Sequence, residues 1–387
     1  MSESPIYLDY AATTPIDPGV AQALSEALCD ETAIANPSSV HRAGRLSAAR
    51  VATAAEQVAS LLGCEPGQLI WTSGATEADN LAIAGAARYR ADRGRHLVTM
   101  PTEHKAVTDM FQALEKEGFD VTWLAPGPDG LLDIDLLEQA LTEKTQLVSI
   151  MHVNNETGVV QDIEAIGELC RSRDVLYHVD AAQSAGKLPI DLRRMPIDLL
   201  SLTAHKFYGP KGIGALYVAD RPGCHVEPLL FGGGQQRSLR PGTLPVPLII
   251  ALGKAAEIAR ERQASDLEHA TRLRAALWDG IKGVEGLLLN GHPTAHYPGI
   301  VNVSVGDVDG ESLLLDLEPL CVATGSACNS KNQEPSYVLR SMGRSDDEAE
   351  GAIRVSFGRM STIEDVEQAA SIYVDAVSRL RQLAPAA

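Results

Sequence analysis

Two textures alternate along the chain between about residues 44 and 260. Short runs that are apolar at most positions, "LIWTS" (69–73), "HLVTM" (96–100), "VTWLA" (121–125), "QLVSIMHV" (146–153), "VLYHVD" (175–180) and "DLLSLT" (198–203), predict strands. Between them lie segments such as "SAARVATAAEQVASLLG" and "DIEAIGELCRSR", where apolar positions recur at helical spacing and the ends carry Gly or basic residues. Apolar strands separated by amphipathic helices predict βαβ units, and hence a mostly parallel sheet with helices on both faces. In such sheets ligands gather at the carboxyl ends of the strands.

Past "GTLPVPLIIALG" the texture changes. A charged helical stretch at roughly 250–282 precedes "GIVNVSVG", "CVATGS" and "AIRVSFGR", which read as strands of a smaller α+β unit closed by the helix "TIEDVEQAASIYVDAVSRLRQL". The expected organisation is an α/β chain of two domains, a large one over 16–260 and a small one built from 1–15 and 261–387.

At 387 residues and 45% hydrophobic content the chain can fill two cores, and with aromatics at only 4% those cores must rest on Ala, Leu, Val and Ile. A formal charge of -18 argues against nucleic acid as a partner, since phosphate binding needs clustered Lys and Arg, and otherwise serves solubility. The opening "MSESPIYLDYAATTPIDP" does not join a basic stretch to an apolar one, and no run is long and apolar enough to cross a bilayer, so neither export nor membrane insertion is expected. Cys29, Cys64, Cys170, Cys224, Cys321 and Cys328 are scattered without CxxC pairs, a pattern of reduced cytoplasmic thiols rather than of disulfides or a zinc site.

The chemistry gathers where strands end. "VLYHV" runs into Asp180 and "DLLSL" into "TAHK", which brings Asp180, Gln183, Thr203, His205 and Lys206 to one sheet edge. A third strand end supplies "TSGATEADN", a small-residue turn entering a helix, whose free N–H groups suit a phosphate. Neither this turn nor "GPKGIG" has Walker or GxGxxG spacing, so the phosphate is not that of a nucleotide. A phosphate site beside a lysine and an aspartate points to pyridoxal phosphate, which needs an amine for its Schiff base, an acid to keep its pyridine nitrogen protonated, and an anchor for its phosphate. The glycines and prolines around Lys206 let the backbone turn sharply enough to aim that amine.

The motifs "YLDYAATTP", "NPSSVH", "TSGATEADNLAI", "TEHKAV", "MHVNNETGVVQDI", "HVDAAQSAGKLPIDL", "HKFYGPKGIGALYV", "RPGTLPVP", "ATGSACNSKNQEPSYVLRSMG" and "AIRVSFGR" together resemble the cysteine desulfurases of the IscS/NifS type. These are class V aminotransferase-like enzymes of the fold type I pyridoxal-phosphate group, and the resemblance covers nearly the whole chain. It implies a homodimer in which Lys206 bonds the cofactor, Asp180 pairs with its ring nitrogen, and His104 stacks on the ring and helps move protons. It further implies that Ala75, Thr76, Thr203 and His205 hold the phosphate, that Thr243 reaches it from the partner subunit, and that Gln183 bonds the ring hydroxyl. Asn155 and Arg354 resemble the pair that positions the substrate carboxylate. Asn36 and His41 of "NPSSVH" are accounted for by turn and helix-start roles.

Cys328 stands in "GSACNSKNQEP", a polar loop of small residues where an unpaired cysteine is a poor structural choice, with Lys331 nearby to favour the thiolate. The other five thiols read as small hydrophobes. The resemblance implies that Cys328 takes sulfur from L-cysteine as a persulfide, releases alanine, and passes the sulfur to an acceptor such as an iron-sulfur scaffold or a tRNA-thiolation protein. The long loop before "EPSYVL" resembles the IscS/NifS branch rather than the SufS branch. Two departures stand out: "ATGSAC" where "SSGSAC" is common, and an end at "RLRQLAPAA", which leads us to expect weak transfer to any scaffold that needs a longer tail. The rival readings are a selenocysteine lyase or aminotransferase on the same fold, and a non-catalytic sulfur-relay subunit. The Cys328 loop argues against the aminotransferase, and intact Lys206, Asp180 and His104 against the relay.

Overall fold

The computed structural model describes residues 5–324 and 335–383. Its centre is a seven-stranded sheet in the order Leu69–Thr72, Gly214–Val218, Leu199–Thr203, Leu176–Asp180, Thr145–Ser149, His96–Thr99 and Asp120–Trp123. Gly214–Val218 runs against both of its neighbours, and every other adjacent pair is parallel. All of these strands except the edge strand Asp120–Trp123 are buried along their whole length, which is why their sequences are continuously apolar.

Alternate residues serve opposite faces. Val98, Val148, Tyr177, Val179, Leu200 and Leu202 pack with Val58 and Leu62 of the helix Arg42–Leu62, Ile166 of Ile163–Ser172 and Ile249 and Leu252 of Val246–Ile281. Leu97, Leu147, Leu176, Leu199 and Leu216 face the helices Ala75–Tyr89 and Lys105–Lys116. Ala78, Ala82 and Ala86 line the sheet side of the first of these, and their small side chains let it lie close.

All six predicted strands of this sheet form, and two differences have physical causes. "QLVSIMHV" is a regular strand only over Thr145–Ser149; Ile150 and His152 still donate to the His178 and Asp180 carbonyls at 3.2 and 3.0 Å, and Asn154 then folds the chain into a loop, its Oδ1 accepting from the N–H groups of Glu156 and Thr157, both at 2.9 Å. The strand Gly214–Val218 is masked in the sequence by the glycines that precede it. A Cβ on Gly214 would stand 2.8 Å from the Cα of Gly74 and 2.4 Å from the Leu202 carbonyl oxygen, so this strand approaches the "TSGAT" turn only with glycine at its head.

The second unit is an antiparallel sheet of Ala323–Thr324, Ala352–Ser356, Ile300–Val305 and Leu287–Leu289. Val301, Val303, Ile353 and Val355 pack there against Val366 and Tyr373 of the helix Ile363–Leu383. The helix Val246–Ile281 belongs to both cores: Ile249, Leu252 and Ala256 face the large one, and Leu273, Leu277 and Ile281 the small one. The N-terminal segment also joins the small unit, with Ile6–Tyr7 pairing in parallel with Leu320–Cys321, and Tyr10 donating to the Ser356 carbonyl at 3.2 Å.

Candidate active site

A cavity of about 670 Å³ opens at the carboxyl ends of the parallel strands. Ala75, Thr76, His104, Asn155, Asp180, Gln183, Thr203, His205, Lys206 and Arg354 all line it. Thr243 is exposed and lies outside the cavity. Cys328 and Lys331 lie outside the described residues.

Asp180 ends its strand, 4% exposed, and accepts a 2.8 Å hydrogen bond from the Ala182 N–H at Oδ1. Burial raises its pKa, opposed by that N–H and by the neighbouring His104 and Lys206. Lys206 ends a single 3-10 turn, Ala204–Lys206, directly after the strand Leu199–Thr203. Its Nζ donates to the Ala11 carbonyl. The strain of this turn sits two residues on, at Tyr208 with φ +69°. Three contacts hold Tyr208 there: its N–H donates to Thr14 Oγ1 at 2.8 Å, its hydroxyl accepts from the Arg359 N–H at 2.7 Å, and the Arg359 guanidinium lies 4.1 Å from its ring centre.

His104 caps the helix Lys105–Lys116, with Nδ1 accepting from the Ala106 N–H at 3.1 Å. Using Nδ1 as an acceptor leaves the ring proton on Nε2. Burial is the largest influence on His104 and lowers its pKa, so the ring is neutral at physiological pH.

The helix Ala75–Tyr89 presents the open end of its first turn to the same cavity, where Ala75, Thr76 and Glu77 have no preceding intrahelical acceptor. The side chains of Thr76, Thr203 and His205 complete this cup. Burial, and then the nearby Lys206, push His205 down to about 4, so it enters the cup as a neutral donor or acceptor, with Nδ1 3.2 Å from Thr13 Oγ1.

At the other end of the cavity Arg354 donates to the Asn155 carbonyl at 2.9 Å and to Asp9 Oδ1 at 2.7 Å. Its Nε and the Oδ1 of Asn155 are buried without hydrogen-bond partners among the described residues. Orphaned polar atoms on a cavity wall are costly unless a ligand meets them. Beside them Glu156 accepts from Ser336 Oγ at 2.5 Å and is pushed up to about 7, mainly by burial.

Sequence reasoning passed over four charged residues here: Asp9, Asp79, Glu156 and Lys187. Asp79 follows Ala75 by one helical turn, and Lys187 follows Gln183 by the same spacing, which was the available signal. Asp79 is 1% exposed, with Oδ1 3.5 Å from His178 Nε2. Burial, and then the nearby Asp180, raise its pKa well above the usual carboxylate range, while burial depresses His178 to about 3 and so keeps that ring neutral beneath the site. Asn36 and His41 make a turn and a helix cap: Asn36 Oδ1 accepts from the Ser38 N–H at 2.9 Å, and His41 Nδ1 from Gly44 at 3.1 Å.

Of the remaining cysteines, Cys170 is buried, and burial lifts the thiols of Cys64 and Cys224 to about 12, which keeps them protonated. Cys29 departs from the buried pattern and is exposed at the end of the helix Pro18–Cys29.

An amine and a buried acid at adjacent strand ends, a helix terminus flanked by hydroxyls, and orphaned polar atoms opposite fit pyridoxal 5'-phosphate and an amino acid. Fold and site together define a pyridoxal-phosphate-dependent α/β enzyme of fold type I. The class-V aminotransferase family matches residues 6–369, and the chain belongs to that family. It is 51% identical over 382 residues to the cysteine desulfurase IscS of Cronobacter sakazakii, and 50% identical to that of Escherichia coli O139:H28, covering in each case 98% of this chain and 95% of the relative. Among solved structures, a NifS-like protein superposes with a TM-score of 0.90 at 34% identity, covering 97% of this chain and 100% of that one. SspA in complex with cysteine gives 0.80 at 39% identity, covering 91% and 98%.

Proposed function

We propose that this chain is a cysteine desulfurase, converting L-cysteine to L-alanine and leaving the sulfur as a persulfide on Cys328. The carrying observation is that His104, Asp180, Lys206 and Arg354, drawn from distant parts of the sequence, line one cavity in a chain about half identical to IscS enzymes.

Lys206 would hold pyridoxal 5'-phosphate through its aldehyde, Asp180 its ring nitrogen, Gln183 its ring hydroxyl, and Ala75, Thr76, Thr203 and His205 its phosphate, with Thr243 of the partner subunit. When bound, the cofactor supplies an electron sink that loosens a proton at the substrate Cα and weakens the bond from Cβ to sulfur. Arg354 and Asn155 orient the substrate carboxylate at the far end of the cavity. The Lys206 amine and the neutral His104 ring line the same cavity and would be the groups that take and return a proton at the substrate carbon. The Cys328 thiolate attacks the substrate sulfur: an S–S bond forms, the Cβ–S bond breaks, and the electron pair left on carbon is protonated to become the alanine methyl group. The sulfur then leaves by thiol exchange to an acceptor such as an iron-sulfur scaffold.

Residues 16–260 are the cofactor domain under this reading, and 1–15 with 261–387 the small domain that carries Cys328; the split use of the helix Val246–Ile281 by two cores supports that division. A homodimer is supported by the uncovered apolar side chains Ile34, Val40, Leu230 and Phe231, 53% to 90% exposed, with Leu230 lining a groove that also includes Thr76. The cysteine pattern supports a cytoplasmic enzyme, and among the described residues no helix is long and apolar enough to cross a membrane. The test is alanine release from L-cysteine by the purified protein, with mass spectrometry of the peptide containing Cys328. Alanine with one extra sulfur on that peptide is expected; absence of both defeats the reading.

A further inference from the structure

The chain leaves Asp180 in tight turns, with Ala185 donating to the Ala181 carbonyl at 2.8 Å and Leu188 to that of Ser184 at 2.9 Å. This winding puts Lys187 on the same side as Gln183. Gly186 permits it: its φ is +75°, and a Cβ there would stand 2.9 Å from the Cβ of Phe207, the residue after Lys206. Lys187 is 9% exposed, and its Nζ donates to Gln183 Oε1 at 3.0 Å. On the other side, Gln183 Nε2 donates to the Ala11 carbonyl at 2.7 Å.

A buried lysine is costly and ordinarily has an acid beside it. Among the described residues, burial first and then the cationic charges of Lys206 and Arg354 push Lys187 down to about 7, with no acid beside it. An ion pair therefore does not explain it. Its Nζ lies 5.4 Å from the centre of the Tyr297 ring, and its hydrogen bond goes to one end of an amide whose two ends have nearly the same shape but opposite hydrogen-bonding character. The Lys187 amine offers N–H donors in either protonation state, so it draws Oε1. The Ala11 carbonyl can only accept, so it draws Nε2. The second hydrogen of Nε2 is left for the cavity that Gln183 lines. With the amide reversed, Oε1 would oppose the Ala11 oxygen, and the face offered to an electron-rich ring oxygen would be repulsive.

We infer that Lys187 is a positioning residue that sets the orientation of the Gln183 amide, so that the cofactor's ring oxygen meets an N–H donor. The inference rests on the reading that Gln183 contacts that oxygen. The test is a double-mutant cycle read by the affinity of the apoprotein for pyridoxal phosphate and by the absorbance maximum of the bound cofactor. Lys187→Met should weaken cofactor binding about tenfold and shift the maximum, whereas Lys187→Gln, which keeps an N–H donor without the charge, should stay within about twofold of wild type with an unshifted maximum. In a Gln183→Ala protein, adding Lys187→Met should change neither quantity further, because its effect runs through the amide. A merely structural lysine would show its full effect in both backgrounds. The inference is overturned if Lys187→Met matches wild type in affinity and absorbance, or if its effect persists undiminished beside Gln183→Ala. Should Gln183→Ala alone change nothing, the ring contact falls and this inference with it, while alanine release by the wild-type protein still judges the activity on its own.

Discussion

The guanidinium of Arg354 lies 2.7 Å from the carboxylate of Asp9, so an arginine on a strand of the small sheet is aimed by a residue near the start of the chain. Its side chain is only 6% exposed, and the contacts with Asp9 and the Asn155 carbonyl fix the plane in which it can offer its remaining N–H groups.

Loss of that aim should weaken substrate binding more than chemistry. Asp9→Asn is expected to raise KM for L-cysteine about tenfold while kcat stays within about threefold, the pattern of lost uniform binding. Steady-state alanine production measures both, and a collapse of kcat at unchanged KM would contradict this placement.

Lys206→Ala should fold normally, because the side chain lines a cavity rather than filling a core. Dialysed protein is expected to lose the cofactor's visible absorbance, and alanine production should fall by about three orders of magnitude or more. Retained covalent cofactor after borohydride reduction would assign the attachment to another lysine.

Asp180→Ala separates binding from turnover. The cup proposed to hold the phosphate does not involve this carboxylate, so the variant should still take up pyridoxal phosphate, with turnover lowered by about two to four orders of magnitude. Near-normal turnover would remove Asp180 from its proposed role.

Cys328→Ser changes only the proposed sulfur nucleophile. The variant should bind cofactor and respond spectrally to L-cysteine, yet accumulate no extra sulfur and release almost no alanine. Sulfur appearing on Cys321 instead, or alanine at the wild-type rate, would refute the assignment.

Glu156 gives a pH dependence to stability. Its folded pKa of about 7 lies above the unconstrained 4.5, so the native state holds its proton more tightly than the unfolded chain does. The stabilisation is full below pH 4.5 and is lost as pH rises through about 7, up to about 3 kcal/mol. Glu156→Gln keeps an acceptor for Ser336 and has no proton to lose. Urea unfolding at about pH 5 and pH 8 should show wild type losing stability relative to the variant by that order; parallel curves would place the titration elsewhere.

The legible parts of this protein are those where one residue type has one reason to be present. Five buried strands and the edge strand Asp120–Trp123 were visible as mainly apolar runs, and Lys206 and Asp180 stood out as charges placed where such runs stop. Gly214–Val218 stayed hidden because its opening glycine, required by contact with Gly74, reads locally as a turn. Lys187 and Glu156 were hidden for a different reason: a charged residue is assumed to be solvated, and only the packing around it shows otherwise. Asp9 needed Arg354, and no local pattern connects the two.

The placement of Ala11 also gives the enzyme a schedule. Its carbonyl receives both Lys206 and Gln183, and its own N–H is held at 2.9 Å by Ser356 Oγ, 345 positions later. The segment that braces the Lys206 amine thus leaves the ribosome 345 residues ahead of the serine that holds it. At typical elongation rates the interval is roughly half a minute. Throughout it the nascent chain carries its lysine, aspartate and histidine without the brace, so a premature stop before the strand Ala352–Ser356 yields a product that lacks this anchor as well as Arg354.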